Sequence, residues 1–242
     1  MVSSQTASLH IRALSKKYGN NLALSELDLS IYPQQICGLL GENGAGKTTT
    51  LKIISGIIEK TSGSVEVGGI SLEQHPIEAK KNLFFIPDHA VLFEKMRGDR
   101  YLKWMCQLYD VDYSLAWLKI KSFAEAFGLT KHINKEIGEM SLGNKQKLQL
   151  TAGLMIDPAL LILDEPMVGL DPGSIIMMKE SLLEFTRSGG AVLFSTHLLH
   201  IAQEICSHIV ILKEGKSALN TAIDTLPRTI DLEHLFTDVV SK

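Results

Sequence analysis

The chain has 242 residues, 45% of them hydrophobic, and a formal net charge of −3 at pH 7. This length fits one large domain or a core with an inserted lobe. The slightly acidic balance argues against a general nucleic-acid-binding protein. No run of about eighteen apolar residues occurs, so we expect no membrane-spanning segment. The widely separated Cys37, Cys106 and Cys206 show no metal-like spacing, which predicts reduced thiols in a cytosolic protein.

The N-terminal part alternates between strand and helix character. Apolar residues at every other position mark early strands, and a short uniformly apolar run marks a buried one. A helix is predicted at residues 49–58. The strands expected here are residues 9–13, 22–31, 36–40, 65–67 and 83–86.

A glycine-rich loop lies between the strand at 36–40 and the helix that follows. Its sequence, Gly41-Glu-Asn-Gly-Ala-Gly-Lys-Thr48, matches the complete phosphate-binding loop pattern. Backbone N–H groups of such a loop curl round an anion, and the helix N-terminus adds partial positive charge. We expect Lys47 to reach the β- and γ-phosphates and Thr48 to hold Mg²⁺. The predicted nucleotide-binding residues here are Gly41, Glu42, Asn43, Gly44, Ala45, Gly46, Lys47, Thr48 and Thr49.

The middle of the chain is helical, with amphipathic patterns between about residues 99 and 135. Uniformly apolar strands return at 160–163, 191–194 and 209–212, as expected for buried parallel strands. We therefore predict an α/β core with a helical lobe inserted at about 91–150. The core domain would span residues 1–220, and residues 221–242 would form a short tail with a packed terminal helix.

Two carboxylates follow the apolar strand at 160–163. Asp164 and Glu165 are thereby placed at the carboxyl end of a buried strand, where open α/β sheets bind ligands. Asp164 is expected to act on Mg²⁺, mostly through water. Glu165 is expected to polarise an attacking water near the γ-phosphate. The alternative is an ordinary strand end with two solvated acids.

With these two sites in this order, the chain resembles the ATP-binding subunits of ABC transporters over nearly its whole length. Tyr18, in Lys-Lys-Tyr-Gly, matches the aromatic residue that stacks on adenine. Met140-Ser-Leu-Gly-Asn-Lys-Gln146 matches the signature segment, and Gly169-Leu-Asp171-Pro matches the D-loop. Ser195-Thr-His197 matches the switch histidine. P-loop kinases and small G proteins share the phosphate loop but lack the signature segment and switch histidine in this order.

The resemblance implies a P-loop NTPase core of the RecA type, with an N-terminal antiparallel β region and the inserted helical lobe. ATP and Mg²⁺ would be its cofactors. In the family, two chains sandwich two ATP molecules head to tail, and Ser141 and Gly143 would serve the opposite subunit. Tyr18 could instead be a packing residue, and Asp171 before Pro172 could be simply a helix N-cap. The implied catalytic residues are Glu165, His197, Lys47 and Asp88, and the implied metal-binding residues are Thr48, Asp164 and Asp88.

Three positions depart from the family pattern. Asp88 stands where the family usually has a glutamine that contacts Mg²⁺ and the attacking water. Its reach is shorter and its charge is negative. In the signature segment, Leu142 replaces the first glycine and Asn144 the terminal glutamine. Such loosened segments resemble those of two-component exporters, including the drug and peptide resistance type.

The function we expect is an ATP-hydrolysing motor subunit of an ABC exporter. It would work as a homodimer at the cytoplasmic face of the cell membrane, peripherally bound to a separate transmembrane permease. Segment 90–98, with Phe93, Glu94 and Arg97, would line the docking groove. The alternatives are a soluble ABC ATPase without a transport role and a nucleotide-sensing regulatory protein. Each motif occurs once and the insertion is only about fifty residues, unlike tandem translation-type or DNA-repair relatives.

Overall fold

The structure is a computed structural model that describes residues 6–89, 92–227 and 231–241. Its strands, in chain order, are β1 (Leu9–Tyr18), β2 (Asn21–Ile31), β3 (Ile36–Gly41), β4 (Ser62–Val67), β5 (Ile70–Ser71), β6 (Leu83–Ile86), β7 (Leu160–Asp164), β8 (Ala191–Ser195), β9 (His208–Lys213) and β10 (Lys216–Ala222). Its α-helices are α1 (Lys47–Ile54), α2 (Pro76–Lys81), α3 (Gly98–Leu108), α4 (Tyr113–Ala126), α5 (Leu142–Ile156), α6 (Pro172–Arg187), α7 (Leu199–Ile205) and α8 (Leu232–Ser241).

The strands form two sheets, which confirms the predicted α/β class and the antiparallel N-terminal region. The larger sheet has the order β10-β9-β3-β8-β7-β6, and its strands run parallel except for β10. The smaller sheet has the order β2-β1-β4-β5 and is antiparallel. Parallel strands point their carboxyl ends to one edge of the sheet, and this edge carries the predicted site.

The larger sheet is covered on both faces, which explains its uniformly apolar strands. Successive side chains of a strand point to opposite faces. Leu161 and Phe194 pack toward the α5–α6 side, whereas Ile162 and Leu193 pack toward the smaller sheet and α1. β3, β7 and β8 are buried along their whole length. The site therefore stands on a rigid support.

The helical lobe packs α3 and α4 against α5, and α5 reaches the sheet at β6. The start of the predicted lobe, residue 91, lies outside the described residues. α5 continues to Ile156, beyond the predicted end at 150. The proposed boundary at 220 falls within β10. The division of the chain into a core, a lobe and a tail stays a prediction.

Local chemistry explains where the predicted bounds of two elements were wrong. α1 begins at Lys47 rather than residue 49, and it ends at Ile54 because Gly56 adopts a left-handed conformation (φ 65°) just past the helix end. β1 was predicted to end at residue 13 but continues to Tyr18. A bulge at Ala13 (φ 47°) interrupts the alternation of apolar residues without ending the strand.

Strand β10 was missed altogether. It is a polar edge strand, mostly exposed or half-buried, so it lacks the apolar signal of its neighbours. It pairs with β9 through a two-residue hairpin turn in which Glu214 and Gly215 both have positive φ. The packed terminal helix predicted for the tail is present as α8.

Gly153 sets how closely α5 approaches the sheet. A Cβ there would lie 2.9 Å from both Leu161 Cδ1 and Phe84 Cδ1. Glycine normally costs a helix about 1 kcal/mol relative to alanine. Overpacking a core costs about 1–3 kcal/mol, and both neighbouring side chains are buried. The overpacking cost less the gain in helix propensity predicts that Gly153→Ala lowers the free energy of unfolding by about 1 kcal/mol, measured by chemical denaturation.

The control for this prediction is Ser122→Ala, on the exposed face of α4. It gains helix propensity without meeting a neighbour, so its free energy of unfolding should be equal to or slightly above that of the unaltered chain. A Gly153→Ala protein as stable as the control would mean that α5 is free to move away from the sheet.

Candidate nucleotide-binding site

The phosphate loop joins the end of β3 to the start of α1. Gly41, Gly44 and Gly46 have φ of 154°, 84° and 107°, which favour glycine. A Cβ at Gly41 would lie 2.6 Å from the backbone oxygen of Leu212, and one at Gly46 would lie 2.9 Å from that of Ala23. The loop can therefore keep this shape, open toward an anion, only with glycine at these positions.

Lys47 begins α1 and folds back over the loop. Its side chain is buried, and its Nζ donates hydrogen bonds to the backbone oxygens of Gly41 (2.7 Å) and Glu42 (3.1 Å). Burial lowers the pKa of Lys47, and the negative charges of Glu165 and Asp164 partly oppose that change. The ammonium group is thus held at the loop's centre, where a phosphate oxygen could replace a carbonyl as its partner.

Asp164, at the end of β7, lies beside Thr48 and Ser195. Its Oδ1 accepts hydrogen bonds from Ser195 Oγ (2.5 Å) and from Thr48 Oγ1 (3.4 Å). A hydroxyl and a carboxylate at one point are hard oxygen ligands of the kind Mg²⁺ prefers. Residues 6–89, 92–227 and 231–241 contain no group of three or more metal-binding side chains.

Glu165 follows Asp164 directly and contacts His197. His197 Nδ1 lies 2.9 Å from Glu165 Oε2. Glu165 has a φ of 47°, the left-handed region that non-glycine residues rarely adopt. Its backbone N–H donates to Ser195 Oγ (3.0 Å) and to the Ser195 carbonyl (3.2 Å). The carboxylate is therefore turned out of the strand direction, toward His197.

Glu165 and His197 line one cavity of about 570 Å³ together with the start of the phosphate loop. Asp88, on the loop after β6, lies on its wall with its side chain 40% exposed, and Asp88 Oδ2 is 3.7 Å from His89 Nε2. Three of the four predicted catalytic residues, Asp88, Glu165 and His197, therefore line the same cavity as the start of the phosphate loop. The fourth, Lys47, lies at the end of that loop and does not line the cavity. The lining residues are Gly41, Glu42, Asn43, Asp88, His89, Glu165, Val168, Thr196, His197, Leu199 and Phe236.

The chain matches known proteins along most of its length. The family model described as ABC transporter matches residues 24–168, more than half of the chain. The chain belongs to the ABC transporter family. It is an ATP-binding protein of this family and an ATPase.

Three similar proteins illustrate the match. An uncharacterized ABC transporter ATP-binding protein of Bacillus subtilis, YhaQ, is 34% identical over 91% of this chain and 73% of its own length. The daunorubicin resistance ATP-binding protein DrrA2 of Streptomyces coeruleorubidus is 31% identical over 90% of this chain and 68% of its own. The solved structure of an ATP-binding subunit of an ABC transporter superposes with a TM-score of 0.92 at 28% identity, covering 97% and 99% of the two chains.

Other predicted site residues of this ABC transporter protein lie outside the cavity. Tyr18 ends β1, with its ring 48% exposed and the Nζ of Lys16 4.8 Å from the ring centroid. Ser141 is the N-cap of α5, and its Oγ accepts the Asn144 N–H at 3.3 Å. Gly143 lies in the first turn of α5. The adenine and opposite-subunit roles of these residues stay predictions.

Asp171 has the structural role that the sequence suggested as an alternative. It caps α6, and its side chain accepts the Ser174 N–H at 3.0 Å. Hydrogen bonds from Ser174 lower the pKa of Asp171 to about 2, with Lys147 adding a smaller effect. The Lys147 Nζ lies 3.7 Å from Asp171 Oδ2, so this carboxylate ties the D-loop to the signature helix α5.

Two residues of the site, Ser195 and Phe236, were not predicted from the sequence. The sequence did hold a signal for Ser195, since it is a polar residue at the end of an otherwise apolar strand. Asp164 ends the neighbouring strand in the same way, and the two residues are paired in the sheet. No sequence signal pointed to Phe236. Only the tertiary fold brings α8 to this edge of the sheet, where Phe236 lines the cavity and Val240 lines a neighbouring pocket with Glu42 and Asn43.

We expect Asp88 to organise the attacking water and not to act as the main base. The Asp88→Ala variant should hydrolyse ATP about tenfold more slowly, a smaller loss than that caused by removing a general base. Asp88→Gln should keep most of the activity, because it restores the residue usual in the family. The measurement is phosphate release by the purified chain at saturating MgATP.

The control is Asp224→Ala, which removes an exposed carboxylate that does not line the cavity. If Asp88→Ala were as inactive as Glu165→Gln, Asp88 would be a primary catalytic residue. If it matched the Asp224→Ala control, Asp88 would have no part in hydrolysis.

Proposed function

We propose that this ABC ATPase is the motor subunit of an exporter, dimerising around two ATP molecules to drive a separate membrane permease. One observation carries the catalytic part of this proposal. The phosphate loop, Glu165, His197 and Asp88 come from separate parts of the sequence and line one cavity, and Asp164 lies next to Glu165 with its carboxylate beside Thr48. An ATPase needs this combination of triphosphate binding, metal ligation and water activation.

The proposed division of labour follows from the contacts. The backbone of the phosphate loop and Lys47 would hold the β- and γ-phosphates, and Thr48 with Asp164 would hold Mg²⁺. Bound Mg²⁺ supplies positive charge that offsets the charge of the phosphates. Glu165 would accept the proton of the attacking water, and His197 would keep the Glu165 carboxylate in place through their 2.9 Å contact.

A head-to-tail dimer would complete the site. The Ser141 end of the 15-residue α5 offers a hydroxyl and a partial positive charge, both suited to a phosphate. Around it, the side chains of Leu142, Val168 and Ile176 are 52%, 40% and 51% exposed. These apolar groups on the signature and D-loop side are suited to burial against a second copy. They support a dimer in which Ser141 of one subunit meets ATP held by the other.

We expect Glu165→Gln to reduce steady-state ATP hydrolysis about 100-fold or more while ATP binding persists. Glutamine keeps the shape of the side chain but cannot accept the proton, and Asp164 still provides its carboxylate. Since hydrolysis no longer reopens the dimer, a species of twice the monomer mass should accumulate with MgATP. Phosphate release and light scattering after size exclusion measure the two effects.

The matched control is the double variant Glu165→Gln with Ser141→Ala. It lacks the hydroxyl proposed to meet the partner's ATP, so dimer should accumulate less while each monomer still binds nucleotide. Normal turnover by Glu165→Gln would remove Glu165 from the catalytic role. Equal dimer formation by the single and double variants would place Ser141 outside the interface.

The docking surface for the membrane permease is proposed at a groove of about 710 Å³ on the helical lobe. Phe93 is 56% exposed and meets Trp104 edge-on, with 5.3 Å between ring centroids. Binding surfaces are enriched in aromatic, methionine and arginine side chains, and this groove has all three kinds. Ala90, at the start of the predicted segment, lies outside the described residues. The lining residues are Phe93, Glu94, Lys95, Met96, Arg97, Arg100 and Glu136.

This groove is tied to the signature segment by backbone hydrogen bonds. The Glu94 carbonyl accepts the Gly138 N–H at 2.8 Å, and the Met96 carbonyl accepts the Ile137 N–H at 2.9 Å. The Lys145 Nζ on α5 lies 3.6 Å from Glu94 Oε1. A helix of the permease pressing on the groove would therefore act directly on the segment that leads into Ser141.

The direction and the cellular place of the proposed transport are supported separately. Export is supported by Leu142 and Asn144 in the signature segment and by similarity to a protein named for daunorubicin resistance. None of the helices in the described part of the chain is long and apolar enough to cross a bilayer. We propose a cytoplasmic ATPase held peripherally at the membrane through its permease.

We expect Phe93→Ala combined with Arg100→Glu to release the chain from membranes. Both residues line the groove, whereas Arg97 is needed locally, where it donates to Asp99 and Asn134. The measurement is the fraction of the chain that sediments with the membranes of its native cells, alongside binding of a fluorescent ATP analogue. Membrane retention should fall severalfold while nucleotide binding is unchanged.

Leu118→Ala, which trims a 76% exposed side chain of α4 that does not line the groove, is the control. Its membrane retention should equal that of the unaltered chain. If the Phe93/Arg100 variant were retained equally well, the docking surface would have to lie elsewhere.

A further inference from the structure

Ser195 occupies a central place at the site. It is the last residue of β8, its side chain is fully buried, and the parallel register pairs it with Asp164 on β7. On its other side β8 pairs with β3, where Ser195 is level with Leu39, two residues before the phosphate loop. Ser195 therefore stands between the strand that leads to the phosphate loop and the strand that ends in the two carboxylates.

A single hydroxyl serves both carboxylate residues. Ser195 Oγ donates to Asp164 Oδ1 at 2.5 Å and accepts the backbone N–H of Glu165 at 3.0 Å. A serine hydroxyl has one hydrogen to donate. Donation to Asp164 leaves the oxygen lone pairs free for the Glu165 amide, so the two bonds fit together.

The backbone of Glu165 needs such support. A φ of 47° costs a non-glycine residue free energy and persists only where surrounding contacts hold it. The Glu165 N–H has two acceptors, and both belong to Ser195. This conformation turns the Glu165 carboxylate toward His197 while Asp164 stays beside Thr48.

We propose that Ser195 is a positioning residue that orients the metal-side carboxylate and the catalytic base together. This rests on the proposed roles of Asp164 and Glu165 in MgATP hydrolysis. Loss of the hydroxyl leaves Asp164 without its closest donor and Glu165 with the backbone acceptor alone. Metal-dependent nucleotide binding and turnover should then weaken together, whereas metal-free nucleotide binding through the phosphate loop should persist.

The test is Ser195→Ala in the full chain. Hydrogen bonds to charged groups are among the strong ones, so we expect the kcat for ATP hydrolysis to fall about tenfold or more. The Mg²⁺ concentration for half-maximal activity should rise severalfold. A fluorescent ATP analogue titrated without Mg²⁺ should bind within about twofold of the unaltered chain, and the gain in its affinity on adding Mg²⁺ should shrink.

The control is Ser181→Ala, which also removes a buried hydroxyl. Ser181 Oγ donates to the Met177 carbonyl within α6. It should leave kcat and Mg²⁺ dependence unchanged. Thermal melting of both variants without nucleotide checks that they are folded at the assay temperature.

A folded Ser195→Ala protein with unaltered kcat and Mg²⁺ dependence would overturn the positioning role. So would a loss of metal-free analogue binding equal to the loss of MgATP binding, because that result indicates general damage to the phosphate loop. Glu165→Gln, assayed in parallel, separates this from the proposed function. If Glu165→Gln turned over normally, the catalytic assignment itself would fail, whatever Ser195→Ala did.

Discussion

The parallel alignment of β3, β7 and β8 is the constraint on which the rest of this ATPase depends. Their carboxyl ends meet at one edge of the sheet, so Gly41, Asp164 and Ser195 become neighbours although they are far apart in sequence. The uniformly buried strands tolerate little movement, because close-packed interiors resist changes of even one methylene group. This rigidity allows a hydroxyl, two carboxylates and a histidine to be held at hydrogen-bonding distances.

Polar and charged side chains are buried at this edge of the sheet. Lys47, Asp164 and Ser195 are all buried, and each has partners within the site. Burial of such groups is costly unless hydrogen bonds compensate. The bonds that compensate are also those that set the directions of Asp164 and Glu165, so local stability and catalytic geometry share the same contacts. The left-handed backbone of Glu165 is the point at which this arrangement departs from ordinary strand structure.

Most of the fold and most of the cavity could be predicted from the sequence, because their signals are local. Apolar runs mark β7 and β8, and the glycine pattern marks the phosphate loop. β10 could not be predicted because an edge strand buries little, and its pairing depends on β9. Phe236 could not be predicted either, since only the packing of α8 brings it to the cavity. Asp171 shows the converse case, in which a motif residue is also an ordinary helix cap.

The most direct test is an experimental structure of the Glu165→Gln chain with MgATP. We predict that the triphosphate lies on the phosphate loop, with Lys47 Nζ within hydrogen-bonding distance of the β- and γ-phosphates. Mg²⁺ should contact Thr48 Oγ1 and lie beside Asp164, and residue 165 should face the γ-phosphate with Ser141 of a second subunit on its far side. A nucleotide bound outside this loop would contradict the account. So would a metal ion that contacts neither Thr48 nor Asp164, directly or through a water.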